Sequence, residues 1–376
     1  MWEEEKIASF QKTLLDWYDS SKRDLPWRQT SNPYYIWVSE IMLQQTQVDT
    51  VIPYYNRFIT TLPTVQDLAD ADEDTLLKLW EGLGYYSRVR NMKSAAIQIV
   101  AEHNGVFPKD YKDIIKLKGI GPYTAGAVSS IAFNQPQPAV DGNVMRVLSR
   151  LFELKIDIGK ASSRKVFEEM IRHLIDQERP GDFNQALMDL GATICTPKNY
   201  KPETSPIKEF NASYLNETWK QYPVKKTKKS SREEHYIVVA AKNSKGEYIF
   251  EKRGAKGVLS GMLTFIMINR DSLDEGNWKS FEGKVDELGQ QHHKQLQALL
   301  KKEYGVTVKL NDEIKGKLTH VFSHLKWQLT VIEADIIDES MLMPQVQLIH
   351  PEQFEKTAFP VPTQKTWELL KTLTLF

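Results

Sequence analysis

The chain has 376 residues, 41% hydrophobic and 26% charged, with Lys plus Arg equal to Asp plus Glu at 49 each. At roughly 150 residues per domain this length favours two or three domains over one small module, and the composition excludes a disordered or fibrous chain. Zero net formal charge removes any global argument for a polyanionic partner, and a single cysteine, Cys195, excludes an intrachain disulfide and any all-cysteine metal site.

The start, Trp2 to Lys6 and then mixed polar residues, lacks the basic segment and apolar run of a secretory signal. Nothing later forms an apolar stretch of about twenty residues, so no membrane association and a cytoplasmic location are expected. From Trp2 to about Lys220, apolar residues recur at helical spacing, interrupted at Leu62-Pro63, Gly105 to Pro108 and Gly119 to Pro122. This predicts an all-α domain over residues 1–220. Residues 1–230 carry 30 basic against 29 acidic side chains, which leaves 19 against 20 for 231–376, so any DNA footprint must be local. Residues 223–235 read PVKKTKKSSREEH, with Lys225, Lys226, Lys228, Lys229 and Arg232, and 221–234 is read as a solvated linker that can lie beside phosphates. Beyond it, HYIVVAA and EYIFEKR predict two strands joined by a turn at Asn243 to Gly246. TFIMIN and WQLTVIEA add further strands, and residues 292–304 have helical spacing. A mixed α/β domain over 235–370 follows.

Three segments can carry chemistry. In YIWVSEIMLQQTQV, Glu40 sits within an apolar helical run with Gln44 one turn on. It is either an exposed residue of an amphipathic helix or a buried acid whose raised pKa suits proton donation near neutrality. In LKGIGPYTA, the two glycines allow a tight turn before a helix, and amides near Gly119, Gly121 and Tyr123 can hold a phosphate. A purely structural turn explains the same residues. In AVDGNVMRVLSRL, Asp141 is placed to cap a helix, and across a pocket from Glu40 it can also stabilise positive charge on a sugar.

Taken jointly, LPWR at 25–28, SEIMLQQTQV at 39–48, GLGYYSR at 82–88, KGIGPYTAGA at 118–127, VDGNVMRVLSR at 140–150 and NQALMDLGATICT at 184–196 resemble the helix-hairpin-helix superfamily of DNA glycosylases. Over nearly its whole length the chain resembles the MutY family of adenine DNA glycosylases. The resemblance implies a monofunctional enzyme that removes adenine mispaired with 8-oxoguanine or guanine in double-stranded DNA, after the base leaves the stack. Glu40 is then the general acid and Asp141 the group that stabilises the oxocarbenium-like sugar. Tyr123 and Asn143 support this centre, and Arg28 and Gln185 line the adenine pocket. Tyr123 replaces the Schiff-base lysine of the lyase-active relatives, although Lys118 stands nearby as a further phosphate contact.

Gln45 and Tyr85 match residues that wedge the stack, with Lys118, Gly119 and Gly121 on the DNA backbone. The C-terminal domain resembles a Nudix-like recognition domain in which Phe322, Ser323 and His324 meet 8-oxoguanine. Its HKQLQALLKKEYGV segment has Glu303 but not the repeated carboxylates of a divalent-metal hydrolase. The family's four-cysteine iron-sulfur loop keeps only Cys195, with Pro202, Ser205 and Asn211 at the other ligand positions. No cluster, no other metal and no cofactor are therefore expected. The other readings are a glycosylase for another mismatch, such as thymine opposite guanine, and a noncatalytic lesion-binding protein. A nucleoid-associated monomer completes the expectations.

Overall fold

The computed structural model describes residues 2–226, 232–270, 273 and 290–372. Lys228 and Lys229 of the basic run thus lie outside the described residues. The chain divides into two compact units, Met1–Ala71 with Ser87–Lys228, and Asp72–Tyr86 with Lys229–Phe376. Residues 72–86, within the stretch expected to form the helical domain, group by contacts with the C-terminal half.

In chain order the helices are α1 (Glu4–Ser21), α2 (Pro33–Leu43), α3 (Val48–Thr61), α4 (Val65–Asp70), α5 (Glu73–Leu79), α6 (Ser87–His103), α7 (Tyr111–Ile114), α8 (Pro122–Phe133), α9 (Gly142–Leu151), α10 (Ser163–Leu174), α11 (Pro180–Thr193), α12 (Ala212–Leu215), α13 (Gln290–Tyr304) and α14 (Val361–Thr372). All but α5, α13 and α14 belong to the first unit. Its core packs Phe10 and Leu14 of α1 against Val144 and Val147 of α9, Phe167 of α10, and Phe183 and Leu187 of α11.

Helix α2 starts where Asn32 Oδ1 accepts the Tyr34 amide at 2.9 Å and Pro33 supplies a preset first turn. Being apolar nearly all round, it is a buried helix, not a surface one. It ends just before Gln45, whose φ of 61° cannot continue a right-handed helix.

In the second unit one sheet has the order β4-β5-β1-β3-β2-β6, with β1 (Arg232–Lys242), β2 (Tyr248–Lys252), β3 (Leu263–Asn269), β4 (Thr307–Val321), β5 (Leu325–Asp338) and β6 (Val346–Ile349). The β1 and β5 strands run parallel and the other paired neighbours antiparallel. Alternation along β1 sends Ile237, Val239 and Ala241 to a core with Leu296 and Leu300 of α13. It sends Val238 and Ala240 to the opposite core with Trp327, Phe359 and Leu370. An all-α unit with an α/β unit is thus the architecture. Strands β4 and β6 were not expected. In β4 the register shifts near Thr307, Leu310 and Ile314 break the two-residue period by which a strand is recognised.

Candidate active site

Glu40, on the inward face of α2, is only 6% exposed. The amphipathic-surface reading therefore does not hold for it. The Tyr123 hydroxyl, from the first turn of α8, donates to Glu40 Oε2 at 2.7 Å and also lies 3.4 Å from Met188 Sδ. Burial raises the Glu40 carboxyl to about 7, against the opposing effect of the Tyr123 bond. The Tyr123 phenol is held well above its ordinary range by burial, then by the Glu40 and Asp141 charges, with the Arg164 guanidinium opposing.

Asp141 takes the capping place its sequence offered. As the N-cap of α9 it accepts the Val144 amide on Oδ1 at 2.8 Å, and it accepts Asn143 Nδ2 on Oδ2 at 2.9 Å. It also lines one cavity of about 490 Å³ together with Glu40, Tyr123 and Asn143. Burial pushes its carboxyl up, while those hydrogen bonds favour the ionised form. Asn143 is itself held, since its Oδ1 accepts Arg146 Nη2 at 2.8 Å, and Arg146 also donates to the Gly191 and Cys195 carbonyls at 2.7 Å each. A side chain at Gly191 would place Cβ 2.6 Å from Asn143 Cβ, so glycine there is what lets α11 reach α9.

Arg28 and Gln185 meet in the same cavity, Arg28 Nε donating to Gln185 Oε1 at 3.2 Å. The residue that organises them, Asp189, was missed from sequence. Its carboxylate is buried and takes Arg28 Nη1 at 2.6 Å, Arg28 Nη2 at 2.9 Å and Arg23 Nε at 3.0 Å. Burial alone would raise this carboxyl, but the two guanidiniums outweigh it and hold it below its usual range. The available signal was spacing: Asp189 lies four residues after Gln185 on α11, hence on the same face.

Around the hairpin, Gly119 has φ 78°, and a Cβ there would fall 2.6 Å from Asn91 Cβ, so the turn itself demands glycine. Gly121 is different: its backbone is extended, nothing in the protein crowds it, and it faces the cavity. Lys118 is exposed, and so is Gln45, another of the cavity's lining residues.

The remaining candidates lie in the second unit. Tyr85, with φ 48°, hydrogen-bonds through its hydroxyl to Ser323 Oγ, a pairing not foreseen because 238 residues separate them. Ser323 and His324 are exposed at the turn between β4 and β5, and Phe322 packs edge-on against Trp327 at 4.8 Å and His320 at 4.5 Å. Glu303, on α13, pairs with Lys302 at 3.2 Å, and among the described residues no three His, Cys, Asp or Glu side chains gather for a metal.

The segment after Cys195 uses its polar groups internally. Arg150 Nη1 donates to Cys195 Sγ at 3.2 Å, and the Arg150 guanidinium lies 4.3 Å above the Tyr200 ring. The Tyr200 hydroxyl accepts Asn211 Nδ2 at 2.9 Å and also bonds Ser205. Asn211 Oδ1 takes the Ser213 hydroxyl at 2.9 Å, and the buried Pro202 opens a short 3-10 turn. One thiol, a ring nitrogen without N–H, a hydroxyl and an amide already engaged do not fit a cluster that requires four thiolates.

Residues 38–173 match the HhH-GPD superfamily of base excision DNA repair proteins, and residues 237–369 match the NUDIX domain. An adenine DNA glycosylase of Mus musculus is 32% identical, covering 96% of this chain and 78% of the relative. One from Buchnera aphidicola subsp. Baizongia pistaciae is 42% identical over 68% of this chain and 73% of its own. One from Arabidopsis thaliana is 34% identical over 88% of this chain, which spans 58% of that relative's length. Among solved structures, a thermostable thymine-DNA glycosylase aligns with TM-score 0.51 and 28% identity over 56% of this chain and 98% of its own. Among the described residues no helix is long and apolar enough to cross a membrane. With a helical repair unit, a Nudix-type unit and these relatives, the chain belongs to the adenine DNA glycosylase family, hydrolases of N-glycosyl bonds in base excision repair.

Proposed function

We propose that the Glu40–Asp141 cavity excises adenine opposite 8-oxoguanine, and less favourably opposite guanine, from an extruded nucleotide in double-stranded DNA. The observation that carries this reading is a buried carboxyl raised to about 7, bonded to a phenol and sharing one cavity with a second carboxylate in a different environment. Glu40 gives its proton to adenine N7, and the C1′–N9 bond breaks with its electron pair leaving on the base. Asp141, favoured as the anion by the Val144 and Asn143 bonds, faces the positive charge on the sugar. Water then supplies hydroxide to C1′, and its proton restores Glu40. Tyr123 and Asn143 orient the two carboxyls, and Arg28 and Gln185 present donors and acceptors to the base edge.

A phenol at position 123 forms no Schiff base, which supports base removal without strand cleavage. Gln45, Tyr85, Lys118, Gly119 and Gly121 are the proposed DNA contacts. Phe322, Ser323 and His324 are the proposed reader of the opposite base, with the protein acting as a nucleoid-associated monomer. The internal bonding of Tyr200, Ser205 and Asn211 supports a loop that needs no iron-sulfur cluster. Stoichiometric iron and sulfide in anaerobically purified protein would overturn that last point. The decisive test is single-turnover base release from duplexes with adenine opposite 8-oxoguanine, guanine or thymine, and with thymine opposite guanine. Adenine should be released fastest opposite 8-oxoguanine; release of thymine instead would assign the pocket to another mismatch.

A further inference from the structure

Three guanidiniums line the Glu40–Asp141 cavity, those of Arg23, Arg28 and Arg164. The first two are paired with Asp189. Arg164 differs: its backbone amide donates to the Ala161 carbonyl at 3.3 Å, and among the described residues no carboxylate or carbonyl takes its side chain. It is half-buried, and it stands near enough for its charge to act on the Tyr123 phenol. Its place is also costly for the helix that carries it. The first turn of α10 holds Arg164 and Lys165 and no acidic residue, the reverse of the charge that a helix start favours. A cation kept unpaired at an unfavourable position, beside a cavity with two carboxyls, calls for an anion that comes with the substrate.

We propose that Arg164 anchors a phosphate of the strand that carries the target base, adjacent to the extruded nucleotide. This rests on the reading that the cavity accepts that nucleotide. The ionised Asp141 would otherwise repel a phosphodiester brought to the mouth, and a planar guanidinium offers two parallel donors to phosphate oxygens. Gly121, on the same cavity wall, leaves room for the backbone to pass.

The test is equilibrium binding of the full chain to a duplex with a non-hydrolysable adenosine analogue opposite 8-oxoguanine, across a series of salt concentrations. Losing one phosphate contact should lower the slope of log affinity against log salt by about 0.9 in Arg164→Ala. Affinity at moderate salt should fall roughly five- to tenfold, and Arg164→Lys should recover most of the slope, since it retains the charge. Denaturant midpoints of both variants at or slightly above wild type would exclude misfolding as the cause. An unchanged slope in Arg164→Ala, or a slope that Lys does not restore, would overturn the proposal. If the wild type released no adenine the cavity reading would fail, whereas wild-type release with an unchanged Arg164→Ala slope would remove the anchor alone.

Discussion

The cavity of the helical unit and the turn of the C-terminal sheet handle polar side chains in opposite ways. In the cavity, Glu40 and Asp189 are 6% and 2% exposed, and each is fixed by a neighbour: Tyr123 for Glu40, two arginines for Asp189. At the β4–β5 turn, Ser323 and His324 are exposed, Ser323 bonded to the Tyr85 hydroxyl, on an aromatic base of Phe322, Trp327 and His320. Chemistry at the buried Glu40 depends on excluding water, because burial is the largest influence moving its proton affinity toward neutrality. Discrimination between two bases that differ by a few edge atoms instead needs donors that can meet a partner, and an exposed turn on a rigid sheet supplies them.

If this contrast is right, the largest effect belongs to the cavity. Glu40→Gln should lower single-turnover adenine release by about 10²- to 10⁴-fold while retaining DNA affinity, the range expected for loss of a general acid. Asp189→Ala should destabilise the fold by roughly 3–5 kcal/mol in denaturant titrations, since it strands Arg28 without its counter-charge. Glu40→Gln should also stabilise the protein, with a distinct pH signature. The folded carboxyl sits at about 7 and its ordinary value is 4.5. Wild type and variant therefore match below about pH 4.5 and diverge as pH rises. Above pH 7 the charged wild-type side chain leaves the variant ahead by about 3 kcal/mol, an order-of-magnitude figure. Excision by the wild type should decline as pH rises through about 7, where the folded Glu40 loses its proton. A variant no more stable than wild type at pH 8 would break the link between burial and acidity.

Smaller effects are expected at the turn. Ser323→Ala and His324→Ala should change stability by no more than about 0.5 kcal/mol. They should narrow the rate ratio between adenine opposite 8-oxoguanine and opposite guanine by roughly 1 kcal/mol, or about fivefold. Equal slowing on both duplexes would mean that the turn binds without discriminating. Tyr200→Phe, which keeps the ring over Arg150 and removes the hydroxyl, should cost about 1 kcal/mol of stability in thermal unfolding.

Much of this arrangement could be read from local patterns. The apolar run around Glu40, the Asp141 cap and the glycine turn each announce themselves within a dozen residues, and the β1–β2 hairpin follows from alternation and its turn. The features that escaped are long-range or irregular. Asp189 reads as an ordinary helical acid until Arg23 and Arg28 arrive from more than 150 residues away. Arg164 lies in a plain charged helix start, with nothing in its neighbours to mark a cavity wall. The bulges of β4 hid the longest strand, and no periodicity ties Tyr85 to Ser323.

The segment 72–86 has a practical bearing on how the protein can be dissected. Lys78 Nζ donates to the Thr357 carbonyl at 3.1 Å, Glu81 Oε1 accepts the Phe359 amide at 2.8 Å, and Tyr85 meets Ser323. A chain ended at the basic linker would delete every one of those partners while keeping the segment that needs them. Slow excision by such a shortened chain would therefore mix two losses, that of the proposed reader and that of the contacts holding residues 72–86. Point changes at the β4–β5 turn, with the backbone intact, separate them.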